Sequence, residues 1–185
     1  IMRIDLPILN NNALRGRGAL INPVNRFSNE VRNIEPVYWE DEDEDYNRVK
    51  TRYIETFPKT IVNKVDSPDV GLSYSLNPYQ GCEHGCVYCY ARNTHSYWGY
   101  SSGVDFESVI LIKKNAAVLL EKLFQKPNYK PAPIMLSGNT DCYQPIEQEM
   151  KITRQLLEVM LKYRHPVGIV TKNALILRDL DIIKK

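Results

Sequence analysis

The stretch Asn77-Pro-Tyr-Gln-Gly-Cys-Glu-His-Gly-Cys-Val-Tyr-Cys-Tyr90 carries three cysteines in the spacing C-x-x-x-C-x-x-C. Three thiolates on one short loop can hold three irons of a cubane and leave the fourth iron without a protein ligand. Gly81 and Gly85 each precede a cysteine, and glycine permits the positive φ angles that a chain curling around a cluster needs. Residues 74–78 have the pattern of a short strand ended by the turn signal Asn-Pro. The cysteines are therefore expected where a strand passes into a loop.

The residues alone leave three other interpretations of this loop open. A structural zinc ion needs a fourth ligand, which His84 or His95 can supply, although such sites usually pair two separated C-x-x-C knuckles. A disulfide is disfavoured by the tight spacing and by an N-terminus without a signal-peptide pattern. The third interpretation is chance proximity of reduced cysteines. The spacing favours an iron–sulfur site over all three.

The motif extends into a wider resemblance. Residues 82–90, with the aromatic Tyr88 just before the third cysteine, resemble the signature of the radical S-adenosylmethionine (radical SAM) enzymes. Several other segments resemble the spore photoproduct lyase-like branch of that superfamily: Asp66-Ser-Pro-Asp69, Asn77-Pro-Tyr-Gln-Gly81, Thr140-Asp141, Tyr143-Gln-Pro-Ile-Glu147 and Thr171-Lys-Asn-Ala-Leu-Ile-Leu-Arg-Asp179. Gly16-Arg-Gly-Ala19 followed by Asn25-Arg-Phe27 is similar to the N-terminal segment of an uncharacterised group within that branch.

The resemblance implies a cofactor, a fold and a reaction. It implies a [4Fe-4S] cluster on Cys82, Cys86 and Cys89, with S-adenosyl-L-methionine on the open iron. An electron from a flavodoxin- or ferredoxin-like reductant would cleave that cofactor to a 5′-deoxyadenosyl radical, which abstracts hydrogen from an unknown substrate. The cofactors would supply the reactivity, and the protein would supply position and shielding. The implied fold is a (β/α) radical SAM barrel.

Hydrophobic periodicity predicts alternating strands and helices after Gly71. The predicted strands are Ser108–Lys113, Pro133–Ser137 and Val167–Thr171, the last two buried. The predicted helices are Tyr90–Tyr97, Asn115–Phe124 with Asn115 as its cap, Ile152–Tyr163, and one that begins near Leu177. Strands separated by helices favour a parallel sheet with right-handed crossovers. The expected class is α/β, a partial barrel with parallel strands.

Polar residues follow each of the main predicted strands, where the active sites of parallel sheets lie. By resemblance, the candidates for binding S-adenosylmethionine are Tyr88, Ser137, Gly138, Asn139, Thr140, Asp141, Thr171 and Lys172. The Ser137–Asp141 segment lacks the two glycines and the glutamate that many family members carry there. The alternative roles are a turn or helix cap for Asp141, a solvent-facing side chain for Lys172 and core packing for Tyr88.

The fourth cysteine and the histidines allow further functional hypotheses. Cys142 is expected to be a small buried thiol, with hydrogen donation at a radical site as the alternative. In spore photoproduct lyase the hydrogen-donating cysteine lies three residues before the matching aspartate, and Gly138 stands at that position here. A photoproduct-type DNA repair lyase is one alternative function, and a non-catalytic iron–sulfur or zinc protein that binds nucleic acid is another. His84 is expected to orient the loop or tune the cluster, and His165 to be structural.

Composition indicates one domain core in a reducing compartment. The chain has 185 residues, of which 43% are hydrophobic, and a net charge of +2. The six acids of residues 40–45 are expected to form a solvated segment, and without them the remainder is basic. A solvated surface is the favoured interpretation of that basic remainder, with attraction of nucleic acid as the alternative. No apolar run is long enough to span a membrane, so a cytoplasmic location without membrane partners is expected.

The organisation along the chain suggests two regions. Residues 1–70 are rich in Asn, Arg, Pro and charge and predict a largely irregular N-terminal extension or arm. Residues 71–185 are expected to form the N-terminal half of a radical SAM core barrel. The chain starts at Ile1 and ends at Lys185 within a predicted helix, which suggests that the second half of the barrel is missing.

Overall fold

The computed structural model describes residues 17–28, 49–66, 71 and 73–185. The acidic run at residues 40–45 lies outside these ranges, as do Gly16 of the N-terminal motif and residues 67–69 of the Asp66 segment. The predictions made for those residues therefore concern positions that the structure does not describe.

Strands alternate with short helices through the described residues. The strands are β1 (Arg52–Thr56), β2 (Val62–Lys64), β3 (Tyr74–Leu76), β4 (Tyr79–Gln80), β5 (Val109–Lys113), β6 (Ile134–Leu136) and β7 (Val167–Ile169). The α-helices are α1 (Val104–Ser108), α2 (Ala116–Phe124), α3 (Glu147–Met150), α4 (Ile152–Lys162) and α5 (Leu180–Ile183). Two 3-10 helices span Tyr90–Trp98 and Ala174–Asp179.

The larger sheet has the order β2-β3-β6-β7 and contains the predicted parallel arrangement. β3 pairs in parallel with β6, with Tyr74 opposite Ile134, and β6 pairs in parallel with β7, with Ile134 opposite Val167. β2 is antiparallel to β3. Because β3, β6 and β7 run in the same direction, the loops that follow them meet at one edge of the sheet.

A second sheet, of order β1-β5-β4, differs from the expectation of a single parallel sheet. β5 is parallel to β1 and antiparallel to β4. All five residues of β5 are buried, including Lys113, whose Nζ donates a hydrogen bond to the Asn77 carbonyl at 2.8 Å. Burial lowers the pKa of Lys113 to about 8. The fold is therefore α/β with two mixed sheets.

The helices largely follow their predicted faces. Ile152, Leu156 and Met160 recur every four residues along α4 and are buried against the core, as the amphipathic pattern predicts. The prediction that Asn115 caps α2 is only half correct. Asn115 precedes the first helical residue, but its Nδ2 donates to the Pro58 carbonyl at 3.0 Å and its side chain makes no capping bond.

One prediction about the strands is wrong in part. β7 was expected to be buried, but all three of its residues are half-buried because it lies at the edge of the sheet. The segment before residue 70, which was expected to be largely irregular, also contributes two short strands to the sheets, β1 and β2. Strands of three to five residues are stabilised by neighbouring strands that are distant in sequence. Hydrophobic periodicity along the chain does not report such pairing.

The main core combines buried side chains from both sheets with those of helices α2 and α4. Its fully buried side chains include Leu76, Tyr79, Ile110, Leu120, Ile134, Leu136, Tyr143, Leu156 and Met160. His165 stacks on Phe124 with ring centroids 4.3 Å apart, and its Nε2 lies 2.6 Å from the Tyr129 hydroxyl, which confirms a structural role. No helix in the described ranges is both long and apolar enough to traverse a bilayer.

Candidate functional site

The three cysteines lie on a loop between β4 and the first 3-10 helix, here called the cysteine loop (residues 81–89). Gly81 and Gly85 adopt φ angles of 81° and 59°, as the sequence predicts for a chain that curls back on itself. A side chain at Gly81 would also be blocked, because a Cβ there would lie 2.6 Å from the Val109 carbonyl oxygen. The Cys82 amide donates to the Phe106 carbonyl at 2.8 Å, which fixes the start of the loop on α1.

The three thiols have different surroundings. Cys82 is buried with Ala91 and Phe106, and burial raises the pKa of its thiol to about 11. Cys86 and Cys89 are half-buried, and all three are free of disulfides. Among the described residues, no three His, Cys, Asp or Glu side chains form a ligand set for one metal ion. In a cubane cluster each thiolate binds a different iron atom, so the cluster's thiolates lie farther apart than the ligands of a single metal ion.

Lys172 approaches the loop from the end of β7. Its Nζ donates to Cys86 Sγ at 2.9 Å, although most of the lysine side chain is exposed. The hydrogen bond to Cys86 raises the pKa of the Lys172 ammonium. Lys172 is therefore solvent-exposed, as its alternative role predicts, and its ammonium group also contacts a candidate cluster ligand.

Asp141 joins the cysteine loop to the ends of β6 and β7. Its Oδ1 accepts hydrogen bonds from Thr171 Oγ1 at 2.7 Å and from the Tyr143 amide at 2.8 Å. Its Oδ2 accepts from the Lys172 amide at 3.1 Å and lies 3.3 Å from His84 Nε2. Burial by itself would raise the pKa of Asp141, but the surrounding donors outweigh burial and hold that pKa below its ordinary value. Asp141 thus acts as a turn cap and as a charged bridge between loops.

The remaining residues of the Ser137–Asp141 segment mostly bind other protein groups. Ser137 adopts a φ of 71°, and its Oγ accepts from the Cys142 amide at 2.7 Å. The Gly138 carbonyl accepts a hydrogen bond from the Tyr90 hydroxyl. The segment therefore lies beside the cysteine loop, as predicted, while the cofactor role of its residues stays a prediction.

Asn77 holds this segment in place and was not singled out as a site residue. Its Oδ1 accepts from the amides of Asn139 and Thr140 at 2.8 and 3.2 Å. Thr140 Oγ1 also donates to the Tyr79 carbonyl at 2.7 Å. The Asn-Pro pair was recognisable as a turn, but the contact with residues more than 60 positions away has no sequence signal.

Tyr88 and the fourth cysteine have opposite exposures. The Tyr88 residue is 83% exposed, so core packing, the alternative role for this ring, is wrong. Cys142 is fully buried in the main core, and burial raises its pKa to about 12, which confirms the expectation of a small buried thiol. His95, a candidate zinc ligand, is buried against the rings of Tyr100 and Phe106 at centroid distances of 5.2 and 5.6 Å.

A buried cluster of charged residues around Glu147 was also not predicted from the sequence. Glu147 is fully buried and accepts from Arg178 Nη2 at 2.7 Å, from the Thr153 amide at 2.9 Å and from the Tyr79 hydroxyl. Arg178 also binds Asp179, which is fully buried. The segments containing these residues were quoted for their resemblance, but their pairing across 31 positions is visible only in the structure.

Comparison with known proteins yields relatives without an assigned activity. Uncharacterized proteins of Mycobacterium tuberculosis and Mycobacterium bovis are 33% identical over 130 residues, which is 70% of this chain and 38% of each relative. An uncharacterized protein of Methanocaldococcus jannaschii is 34% identical over 136 residues, 74% of this chain and 48% of the relative. The matched part thus spans less than half of each of these relatives. No family model and no solved structure matches the chain.

Proposed function

We propose that this chain is the N-terminal part of a radical SAM enzyme of the spore photoproduct lyase-like branch, with a partial barrel as its core. Cys82, Cys86 and Cys89 would hold a [4Fe-4S] cluster. The observation that carries the proposal is the position of the three-thiol loop. It adjoins the loops after β6 and β7, at the edge where parallel strands present their catalytic residues.

The residues of the loop fit such a cluster. The thiols are free, the two positive-φ glycines let the backbone curl, and Cys82 lies in a small apolar cluster that keeps water away. With S-adenosylmethionine bound, the cluster would supply reductive cleavage of the sulfonium to methionine and a 5′-deoxyadenosyl radical. Lys172 would set a positive charge beside Cys86, a contact that can tune the potential of a ligating sulfur.

The neighbouring polar loops support a role in holding the charged cofactor. Asp141 keeps a depressed pKa and a negative charge close to the cysteine loop. The exposed ring of Tyr88 belongs to that loop, and the Gly138 carbonyl is hydrogen-bonded to Tyr90, the residue that directly follows the loop. A carbonyl and a carboxylate suit the amino group of the methionine portion, and an exposed aromatic ring suits adenine.

Metal and product analysis of four cysteine variants tests this proposal. The chain is reconstituted anaerobically with iron and sulfide, desalted, and analysed for iron, sulfide and zinc. Cleavage of S-adenosylmethionine is then followed as 5′-deoxyadenosine after reduction with dithionite. Each of Cys82→Ala, Cys86→Ala and Cys89→Ala is expected to lose the cluster and the product. Cys142→Ala is the matched control and should keep the cluster. A chain that retains one zinc ion and no iron would overturn the proposal.

A further inference from the structure

Residues 17–28, here called the strap, lie across the cysteine loop and the two helices beside it. The Ile21 carbonyl accepts from the Val104 amide at 3.2 Å. Asn22 exchanges two hydrogen bonds with Asp105, at 2.7 and 2.9 Å. Asn25 Nδ2 donates to the carbonyls of Ser96 and Tyr100 at 3.0 and 3.1 Å. These contacts join residues more than 70 positions apart, so the described part of the N-terminal region is a packed element of the site.

The strap touches the cysteine loop directly at Gly18. A Cβ at Gly18 would lie 1.9 Å from the Gly85 carbonyl oxygen, a distance that no side chain can occupy. Only glycine permits this approach of two backbones. The close contact falls between Cys82 and Cys86, in the middle of the candidate cluster loop.

A buried carboxylate joins the strap to the same loop. The Glu107 side chain is fully buried and accepts hydrogen bonds from the amides of Gly18 and Ala19 at 2.8 and 3.0 Å. Arg17 Nη1 donates to the Glu107 carbonyl at 2.6 Å. A buried carboxylate is tolerated only where donors surround it, so Glu107 holds residues 17–19 firmly.

Arg92 continues this chain of contacts to the cysteine loop. Its guanidinium pairs with the Glu107 carboxylate and donates from Nε and Nη2 to the Cys86 carbonyl at 3.1 and 2.9 Å. Nη1 donates to the Gly103 carbonyl at 3.2 Å. The planar guanidinium therefore fixes the backbone at the central cysteine, because its donors have a set geometry.

We propose that the strap clasps the cysteine loop through Gly18, Glu107 and Arg92, and that Glu107 and Arg92 are positioning residues for its three thiols. The clasp itself stands on contacts within the chain, and only its purpose of shaping a cluster site rests on the proposed function. The Arg-Gly-Ala segment at residues 17–19 thus has a physical explanation. The arginine donates to the Glu107 carbonyl, the glycine permits the close approach to Gly85, and the amides of Gly18 and Ala19 donate to the Glu107 carboxylate.

Thiol alkylation of the metal-free 185-residue chain tests the clasp without any cluster. Iodoacetamide labelling with peptide mass spectrometry gives a separate rate for each cysteine. In Glu107→Gln and in Gly18→Ala the rates at Cys82, Cys86 and Cys89 are expected to rise about tenfold, because the loop opens more often. Buried Cys142 should keep its wild-type rate and thus report an intact core. Glu158→Gln at an exposed ion pair and Gly71→Ala, where a Cβ has open space, are the matched controls.

The ratio of loop rates to the Cys142 rate decides the outcome. Wild-type rates at the three loop cysteines in both variants would overturn the clasp. A parallel rise at all four cysteines would also overturn it, because Glu107 and Gly18 would then support the whole fold and not the loop. Iron retained after reconstitution is measured on the same proteins. If the wild type holds no iron, the proposed function fails while the alkylation result on the clasp still stands.

Discussion

Asp141 shows how a single side chain can organise a site in which it had been predicted to bind a ligand. The carboxylate accepts hydrogen bonds from Thr171 Oγ1 and from two backbone amides, and it lies close to His84. One negative charge therefore contacts the cysteine loop and the loops that follow β6 and β7. Binding of a cofactor amine at Asp141, as proposed above, would depend on that charge, and these hydrogen bonds fix where the charge lies. Structural and binding roles are therefore compatible at this residue.

Replacing Asp141 with Asn should destabilise the chain by about 1–3 kcal/mol, because donors that faced a carboxylate would face an amide. The folded pKa of Asp141 lies below its ordinary value of 3.8. Its contribution to stability is therefore complete above pH 3.8 and is lost as the pH falls through the lower folded pKa. Urea unfolding between pH 2 and pH 6 should show a shallower acid loss in Asp141→Asn. Equal acid slopes in both proteins would contradict this assignment.

Tyr88 allows binding and stability to be separated. Because the residue is 83% exposed, Tyr88→Ala should change the free energy of unfolding by less than about 0.5 kcal/mol. If the ring stacks on adenine, the same change should weaken S-adenosylmethionine binding about tenfold, while Tyr88→Phe should retain most of the affinity. Isothermal titration of the reconstituted chain measures this. Equal affinities in the wild type and both variants would show that Tyr88 does not contact the cofactor.

At the scale of elements, the charge cluster around Glu147 joins α3, α4 and the second 3-10 helix. The Glu147 carboxylate in α3 accepts a hydrogen bond from the Thr153 amide at the start of α4. This bond satisfies one of the backbone N–H groups that have no partner within that helix. Arg178 and Asp179, at the end of the second 3-10 helix, contact Glu147 and Arg154 of α4. The cluster therefore fixes the segment after β7, which carries Thr171 and Lys172.

Removing Arg178 from this cluster should be costly. Arg178→Met would leave the fully buried Glu147 carboxylate without a guanidinium partner and Asp179 with that of Arg154 alone, a loss of about 3–5 kcal/mol. Lys162→Met, which breaks the exposed pair with Glu121, is the control and should leave the urea midpoint close to that of the wild type. Urea midpoints measure both changes. Similar midpoints for the two variants would show that the cluster contributes little to stability.

At the scale of the whole molecule, the described sheet order ends at β7, which has one unpaired edge. Val170 and Leu177 beside that edge are 59% and 63% exposed. A groove of about 860 Å³ next to β7 is lined mainly by apolar residues, including Leu157, Leu161, Val167, Ile169, Ile176 and Ile183. An open strand edge next to apolar surface is a site of association between chains.

The 185-residue chain should therefore self-associate as its concentration rises. Sedimentation velocity across a hundredfold range of concentration is expected to show a growing fraction of dimers or larger species. Val170→Lys adds a charge at the edge and should shift the association to higher concentration, while Val118→Lys, at an exposed position of α2, is the control. A monomer at every concentration would show that this edge is protected.

The sequence determined the parts of this protein whose signals are local. Apolar residues at i, i+4 and i+8 predicted α4, the alternation of strands and helices predicted the parallel β3, β6 and β7, and glycines beside the cysteines predicted the positive φ angles. The polar residues after those strands were predicted to lie together, and Lys172 does reach Cys86. Such features depend on neighbours a few positions apart, where side-chain period and backbone preference act directly.

Only the tertiary structure decided which distant residues support these elements. β1 and β2 are short and lack a strong pattern, so their pairing with β5 and β3 follows from packing. Glu107 and Gly18 lie 89 positions apart, and their hydrogen bond depends on the whole path of the chain between them. Buried charges such as Glu107 and Glu147 look like surface residues in the sequence, because their partners come from other elements. Long-range contacts of this kind arise when the chain closes on itself, and no local pattern encodes them.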